Sequence, residues 1–143
     1  MTNIYSSTPR QVRKFVERCF NAGLPPFIKS SPGIGKSAIM KQIAKDYNLE
    51  LIDIRLSMCD PTDLNGLPCF NEKTGKAEFR PFDMFPVVGT PLPPGKNGWL
   101  MFFDEFNSAP KSIQAASYKI MLDHMVGMNT LHECVFKAAA GNL

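Results

Sequence analysis

Residues 30–38 read SSPGIGKSA, and two glycines, a proline and a lysine follow directly on the apolar pair Phe27-Ile28. Pro-Gly favours an ordinary turn, so a strand-to-helix corner with a surface lysine is one reading. The other is a phosphate cradle. Residues 30–37 fit the pattern small-x-x-x-x-G-K-[ST], with Ser30 where glycine is commonest. Gly33 and Gly35 would let the backbone turn so that successive N–H groups point into one concavity. A helix starting near Lys36 would add the partial positive charge of its N-terminus. Lys36 would neutralise the β and γ phosphates of a bound nucleotide, and the Ser37 hydroxyl would ligate Mg²⁺. The stretch facing the ligand would be Ser30, Ser31, Pro32, Gly33, Ile34, Gly35, Lys36, Ser37 and Ala38.

Phosphate chemistry needs a second element, and LMFFDE at 100–105 fits. Asp104 and Glu105 end an apolar run, so they would emerge at the carboxyl end of a strand, where open α/β sheets bind ligands. Asp104 would hold Mg²⁺ directly or through water. Glu105 would orient and polarise an attacking water as general base. A lone acid pair at a helix start would merely complement the macrodipole. The apolar run before it and the glycine-rich loop upstream favour the chemical reading. AAAGN at 138–142 is a third element: its Gly141-Asn142 end would put an uncharged amide beside the γ-phosphate. Taken alone, a Gly-Asn pair is a turn signal.

These groups must be positioned by regular structure. TPRQVRKFVERCFNAG predicts a helix with a Thr8–Gln11 capping box, Pro9 in the first turn, and an apolar face of Val12, Phe15, Val16, Cys19 and Phe20. Gly23 is its natural stop. PPFIKS predicts a buried strand, KSAIMKQIAKDYN a helix and LELIDIRLS the next strand. This strand–loop–helix–strand order implies a parallel sheet with covered faces. DPTDLNGLP could make one helical turn before Gly66. Residues 68–82 predict a β-hairpin around NEKTGK, and PVVGTPLPPGKNG an exposed loop. GWLMFFDE is a strand. SAPKSIQAASYKIMLDHMVG is a helix capped by Ser108, with Ile113, Ala116, Ile120, Met121 and Met125 inward. CVFKAAAGNL is a final strand, and its outer neighbour in the sheet is expected to be missing.

The 143 residues suffice for one domain with a sizeable core. No apolar run approaches the ~20 residues a membrane helix needs, and the first residues have no signal-peptide h-region. A formal charge of +3 permits an anionic ligand but does not mark a nucleic-acid protein. Cys19, Cys59, Cys69 and Cys134 form no CxxC pair, and their spacing to His124 and His132 does not suit zinc. Reduced thiols in a cytoplasmic protein are expected.

In combination, the glycine-rich loop, the strand ending in Asp-Glu and the strand ending in Asn142 resemble Walker A, Walker B and sensor 1 of AAA+ ATPases. DPTDLNG, the hairpin NEKTGKAEFRP and DEFNSAPKSIQAASYKIMLD resemble more narrowly the MoxR and dynein-related branch, which carries an inserted β-hairpin. The resemblance runs from about Pro9 to Leu143. It departs at Ser30, where glycine is commonest, and at Ser108, where relatives often carry arginine. It implies a three-layer α/β P-loop fold with a mainly parallel sheet and the hairpin at about 68–82. It also implies ATP and Mg²⁺ as ligands, with Lys36, Glu105 and Asn142 serving catalysis and Ser37 and Asp104 the metal. A homo-oligomeric ring would drive remodelling of a protein client. Family members continue past sensor 1 into an arginine finger and a helical lid, so residues 1–143 are expected to be the front part of a module. Two other classes stand beside this reading. One is a nucleotide-dependent binding module with little hydrolysis. The other is a DNA-directed motor or loader, against which the lack of a Lys/Arg stripe with interleaved aromatics argues.

Overall fold

A computed structural model describes residues 8–30 and 35–142, with the backbone alone at Ser30. Ser31, Pro32, Gly33 and Ile34 of the expected cradle, and Leu143, lie outside the described residues.

Helix α1, Pro9–Asn21, begins with the expected capping box. The Gln11 N–H donates to Thr8 Oγ1 at 3.2 Å, and the Thr8 N–H donates to Gln11 Oε1 at 2.9 Å. Two of the helix's orphan donors are thereby satisfied. Gly23, at φ +73°, ends it in the left-handed conformation. Strand β1, Phe27–Ser30, leads towards α2, Lys36–Asp46, and β2, Leu49–Arg55, follows. After a 3-10 turn at Leu56–Met58 comes the short helix α3, Pro61–Asn65. Strands β3, Leu67–Asn71, and β4, Lys76–Arg80, form the antiparallel hairpin. Strand β5, Gly98–Asp104, runs into a 3-10 turn at Phe106–Ser108 and then α4, Lys111–Asp123. A small hairpin, β6 at Met125–Val126 and β7 at Asn129–Thr130, precedes β8, Val135–Asn142.

The main sheet is wholly parallel, in the order β1-β8-β5-β2. The final strand therefore lies inside the sheet, hydrogen-bonded to β1 on one side and β5 on the other. This corrects the expectation that it would lack a neighbour; β1 and β2 are the edges of this sheet. The chemistry of the strands agrees with the placement. Phe102 and Phe103 of β5 stand opposite Ala138 and Ala139 of β8. Large beside small lets helices approach both faces without voids. On one face Leu100, Phe102, Ala138 and Ala140 pack with Val16 of α1 and Met40 and Ile43 of α2. On the other, Met101, Phe103 and Ala139 pack with Ile113 and Ile120 of α4. The result is three layers, with α1 and α2 on one side and α4 on the other.

Two expectations for α4 are corrected. Ser108 lies in the 3-10 turn and does not cap the helix, which starts at Lys111 with Pro110 in the capping position and no side-chain cap. Proline forces the preceding Ala109 into an extended conformation, φ −86° and ψ 151°, so the helix cannot begin before it. Met125 is not on the helix either. His124 turns left-handed at φ 57°, the helix ends at Asp123, and Met125 sits half-buried on β6. The proline-rich loop is anchored at its start, where the Val88 N–H donates to the Thr130 carbonyl and the His132 N–H to that of Pro86. No helix among the described residues is long and apolar enough to cross a membrane.

Candidate functional site

The carboxyl ends of the four parallel strands form one rim. Register pairs Ser30 with Asn142 and Arg55 with Asp104. Alternation along the strands sends Asp53, Arg55, Asp104 and Asn142 to the α1–α2 side. Helix α2 starts at the same rim, entered through Gly35 in the left-handed region at φ 78°, a conformation glycine adopts without steric cost.

Lys36, the first residue of α2, reaches across this rim. Its Nζ donates to Asn142 Oδ1 at 2.9 Å and to the Gly141 carbonyl at 3.2 Å. Both acceptors are neutral oxygens, and among the described residues no carboxylate forms an ion pair with the ammonium. An incoming anion would meet that charge together with the N-terminus of α2. Ser37 follows, half-buried, and Ala38 is exposed.

Asp104 is half-buried at the end of β5 and accepts the Glu105 N–H through Oδ1 at 2.7 Å. Glu105 is left-handed, φ 57° and ψ 40°. Such a conformation is uncommon for a residue with a side chain, and it concentrates at functional sites. Its carboxylate accepts the Ser57 hydroxyl, and Arg55 Nε lies 3.8 Å away. The Arg55 pair is exposed and adds little energy alone. The carboxylate takes its direction from the Ser57 hydroxyl bond. Asp53, two residues before Arg55, has its carboxyl pushed above the usual range by burial and then by the charge of Asp104. The nearby charges of Arg55 and Lys41 act in the opposite direction, so burial is the main cause.

The fold thus brings Lys36, Asn142, Asp104 and Glu105 of the predicted set to one rim. Ser37 and Asp104 offer the hydroxyl and carboxylate oxygens a hard divalent cation prefers. The arrangement pairs an anion-attracting end at α2 with a cation-attracting end at β5. Sequence reasoning missed Asp53, Arg55, Ser57 and Asn107. The Asn107 Nδ2 donates to the Asn142 carbonyl at 2.8 Å. The polar residues closing the otherwise apolar 49–57 run, and the asparagine just after the acid pair, were the available signals.

A separate cleft of about 220 Å³ lies at the opposite end of the sheet, lined by residues including Phe20, Leu24, Pro25 and Phe136. Its ammonium, Lys137, already donates to the Met121 carbonyl at 2.9 Å. Lys36, Asp104, Glu105 and Asn142, singled out from the sequence, lie at the rim and not there.

No family model matches the chain, and no curated protein matches it. Solved structures do. A protein from Cytophaga hutchinsonii assigned as an ATPase matches with a TM-score of 0.60 at 20% identity, over 93% of this chain and 38% of that one. NtrX from Brucella abortus matches with a TM-score of 0.56 at 14% identity, over 98% of this chain and 31% of that one. The chain therefore spans well under half the length of these two proteins. At such identities the likeness is one of fold alone: α/β, with a parallel sheet between helical layers.

Proposed function

We propose that this chain binds ATP with Mg²⁺ at the carboxyl-end rim and hydrolyses it, as the front part of a MoxR-like AAA+ module. The observation that carries the reading is the bridge from Lys36 to Gly141 and Asn142. It ties the start of α2 to the strand lying between β1 and the Asp104–Glu105 turn. In this reading Lys36 turns its ammonium from neutral oxygens to the β and γ phosphates, with residues 30–38 lining them. Asn142 then has its amide beside the γ-phosphate. Ser37 and Asp104 would hold Mg²⁺, which when bound neutralises charge developing on the phosphates. Glu105 would orient water and accept its proton. The likeness to a protein assigned as an ATPase is consistent with this. A cytoplasmic ring of such modules, remodelling a protein client, is the assembly we propose for the whole protein.

A second reading has an observation of its own. The Glu105 carboxylate is already engaged by Ser57 and Arg55, as it would be in a module that binds nucleotide and turns over little. Glu105→Gln separates the two. If Glu105 is the base, the variant keeps its MgATP affinity by calorimetry and loses roughly 10²- to 10⁴-fold in steady-state turnover. Unchanged turnover in the variant would remove Glu105 from the chemistry, and a parent chain that binds MgATP with negligible turnover would favour the binding-module reading.

A further inference from the structure

Strand β8 is longer than the neighbour on its β5 side. Pairing with β5 ends at Phe103 opposite Ala139, whereas pairing with β1 continues to Ser30 opposite Asn142. Among the described residues, Gly141 and Asn142 therefore pair with a strand on one flank only. The atoms that hold the Lys36 ammonium, the Gly141 carbonyl and Asn142 Oδ1, belong to this overhang. An unpaired strand end frays unless something ties it down.

The side chain of Asn107 occupies the vacant flank. Its Nδ2 donates to the Asn142 carbonyl at 2.8 Å. Its Oδ1 lies so close over Gly141 that a methyl group there would overlap it, and Phe27 Cζ would stand 3.3 Å from the same methyl. The Asn107 donor thus satisfies a β8 carbonyl beyond the end of the β5 pairing, while its oxygen covers the face of Gly141. It reaches this flank because β5 turns sharply through left-handed Glu105 into the 3-10 turn at Phe106–Ser108. Gly141 is needed because of this close approach; the left-handed glycines of the chain do not include it.

We propose that Asn107 is a positioning residue for phosphate binding, acting through the tip of β8 on Lys36. It fixes the Gly141 carbonyl and the Asn142 amide, and these hold the ammonium at the rim. Gly141 is the other half of the same device, since any larger residue expels the Asn107 side chain. The proposal rests on the phosphate reading of Lys36 given above.

The test is calorimetric affinity of the full chain for ATP and for AMP, whose single phosphate lies outside the reach assigned to Lys36. Circular dichroism serves as the fold control. Asn107→Ala weakens ATP binding by about tenfold, the size of one lost charge-assisted contact. AMP affinity stays within about twofold of the parent, because groups beyond the β8 tip are untouched. Asn107→Leu, nearly the same shape but without the donor and without added charge, gives the same loss. Gly141→Ala matches it, and the Asn107→Ala/Gly141→Ala double variant is no weaker than either single one. Additive losses, or equal losses for ATP and AMP, would overturn the proposal by showing two independent defects or a general loosening. Lys36→Ala separates the layers of the argument. If it removes ATP binding while Asn107→Ala keeps parent affinity, the positioning role is wrong and the phosphate reading stands. If Lys36→Ala itself keeps parent affinity, the phosphate reading fails and takes this proposal with it.

Discussion

The two ends of the parallel sheet carry different kinds of group. At the amino end, polar heads are committed to backbone carbonyls. Lys137 donates to Met121, and His124 Nε2 donates to the His132 carbonyl at 2.9 Å. Burial pushes the Lys137 ammonium below the usual lysine range and the His124 ring below 6.5. Both are polar groups serving the packing around them. At the carboxyl end, Lys36 at the start of α2 is shared between Asn142 Oδ1 and the Gly141 carbonyl, and the carboxylates of Asp104 and Glu105 lie on the same rim. One end is closed on itself and the other is held ready. The carboxyl end gathers a cation, two carboxylates and the start of a helix, whereas the amino end offers a cavity whose ammonium is turned into the packing around it.

The sheet is common to both ends, so the largest effect should ignore the difference. Phe102 is fully buried between the α1–α2 layer and β5. Phe102→Ala should cost about 3–5 kcal/mol in urea unfolding, a large share of the few to ~15 kcal/mol a domain holds. A loss below about 1 kcal/mol would mean that this layer is not the core described.

Lys137→Met sharpens the contrast. The apolar chain fills the same space and gives up one hydrogen bond, so stability should change by no more than about 1.5 kcal/mol. ATP affinity should stay within about twofold, since the rim lies at the far end of the sheet. Calorimetry showing a clear affinity loss would couple two ends that this account treats as separate.

The smallest effect is a slope with pH. Because burial lowers the His124 pKa, the unfolded chain takes up a proton on acidification through about 6.5 before the folded one does. Stability should therefore fall as pH drops through that value towards the depressed one, and be regained above it. Asparagine tolerates the left-handed conformation at this position, so His124→Asn should fold and flatten that part of the profile. The check is the urea midpoint of parent and variant between pH 7.5 and about 5. Parallel profiles would mean that His124 titrates as it does in the unfolded chain.

Local signals were the legible ones. The Thr8–Gln11 box, the stop at Gly23 and the hairpin around NEKTGK each follow from residues a few positions apart. The strand ending in Asp104 and Glu105 was legible for the same reason. Strand order was not, because nothing in AAAGN says that the last strand inserts between the first and the fifth. The start of α4 was misread by favouring Ser108 as a cap over the constraint Pro110 places on Ala109. Asn107 stood in plain view after the acid pair. Its role depends on β8 outrunning β5, a relation between strands far apart in sequence. Ser57 and Arg55 were hidden in the same way, since they meet Glu105 only across the β2–β5 pairing.

The central claim is that the carboxyl-end rim is a phosphate site with Lys36 as its cation. Lys36→Ala, titrated with MgATP by calorimetry beside the parent chain, tests it most directly. Lys36 sits half-exposed at the start of α2, and circular dichroism should show an unchanged fold. The account predicts that ATP binding disappears in the variant. An affinity equal to that of the parent would contradict it.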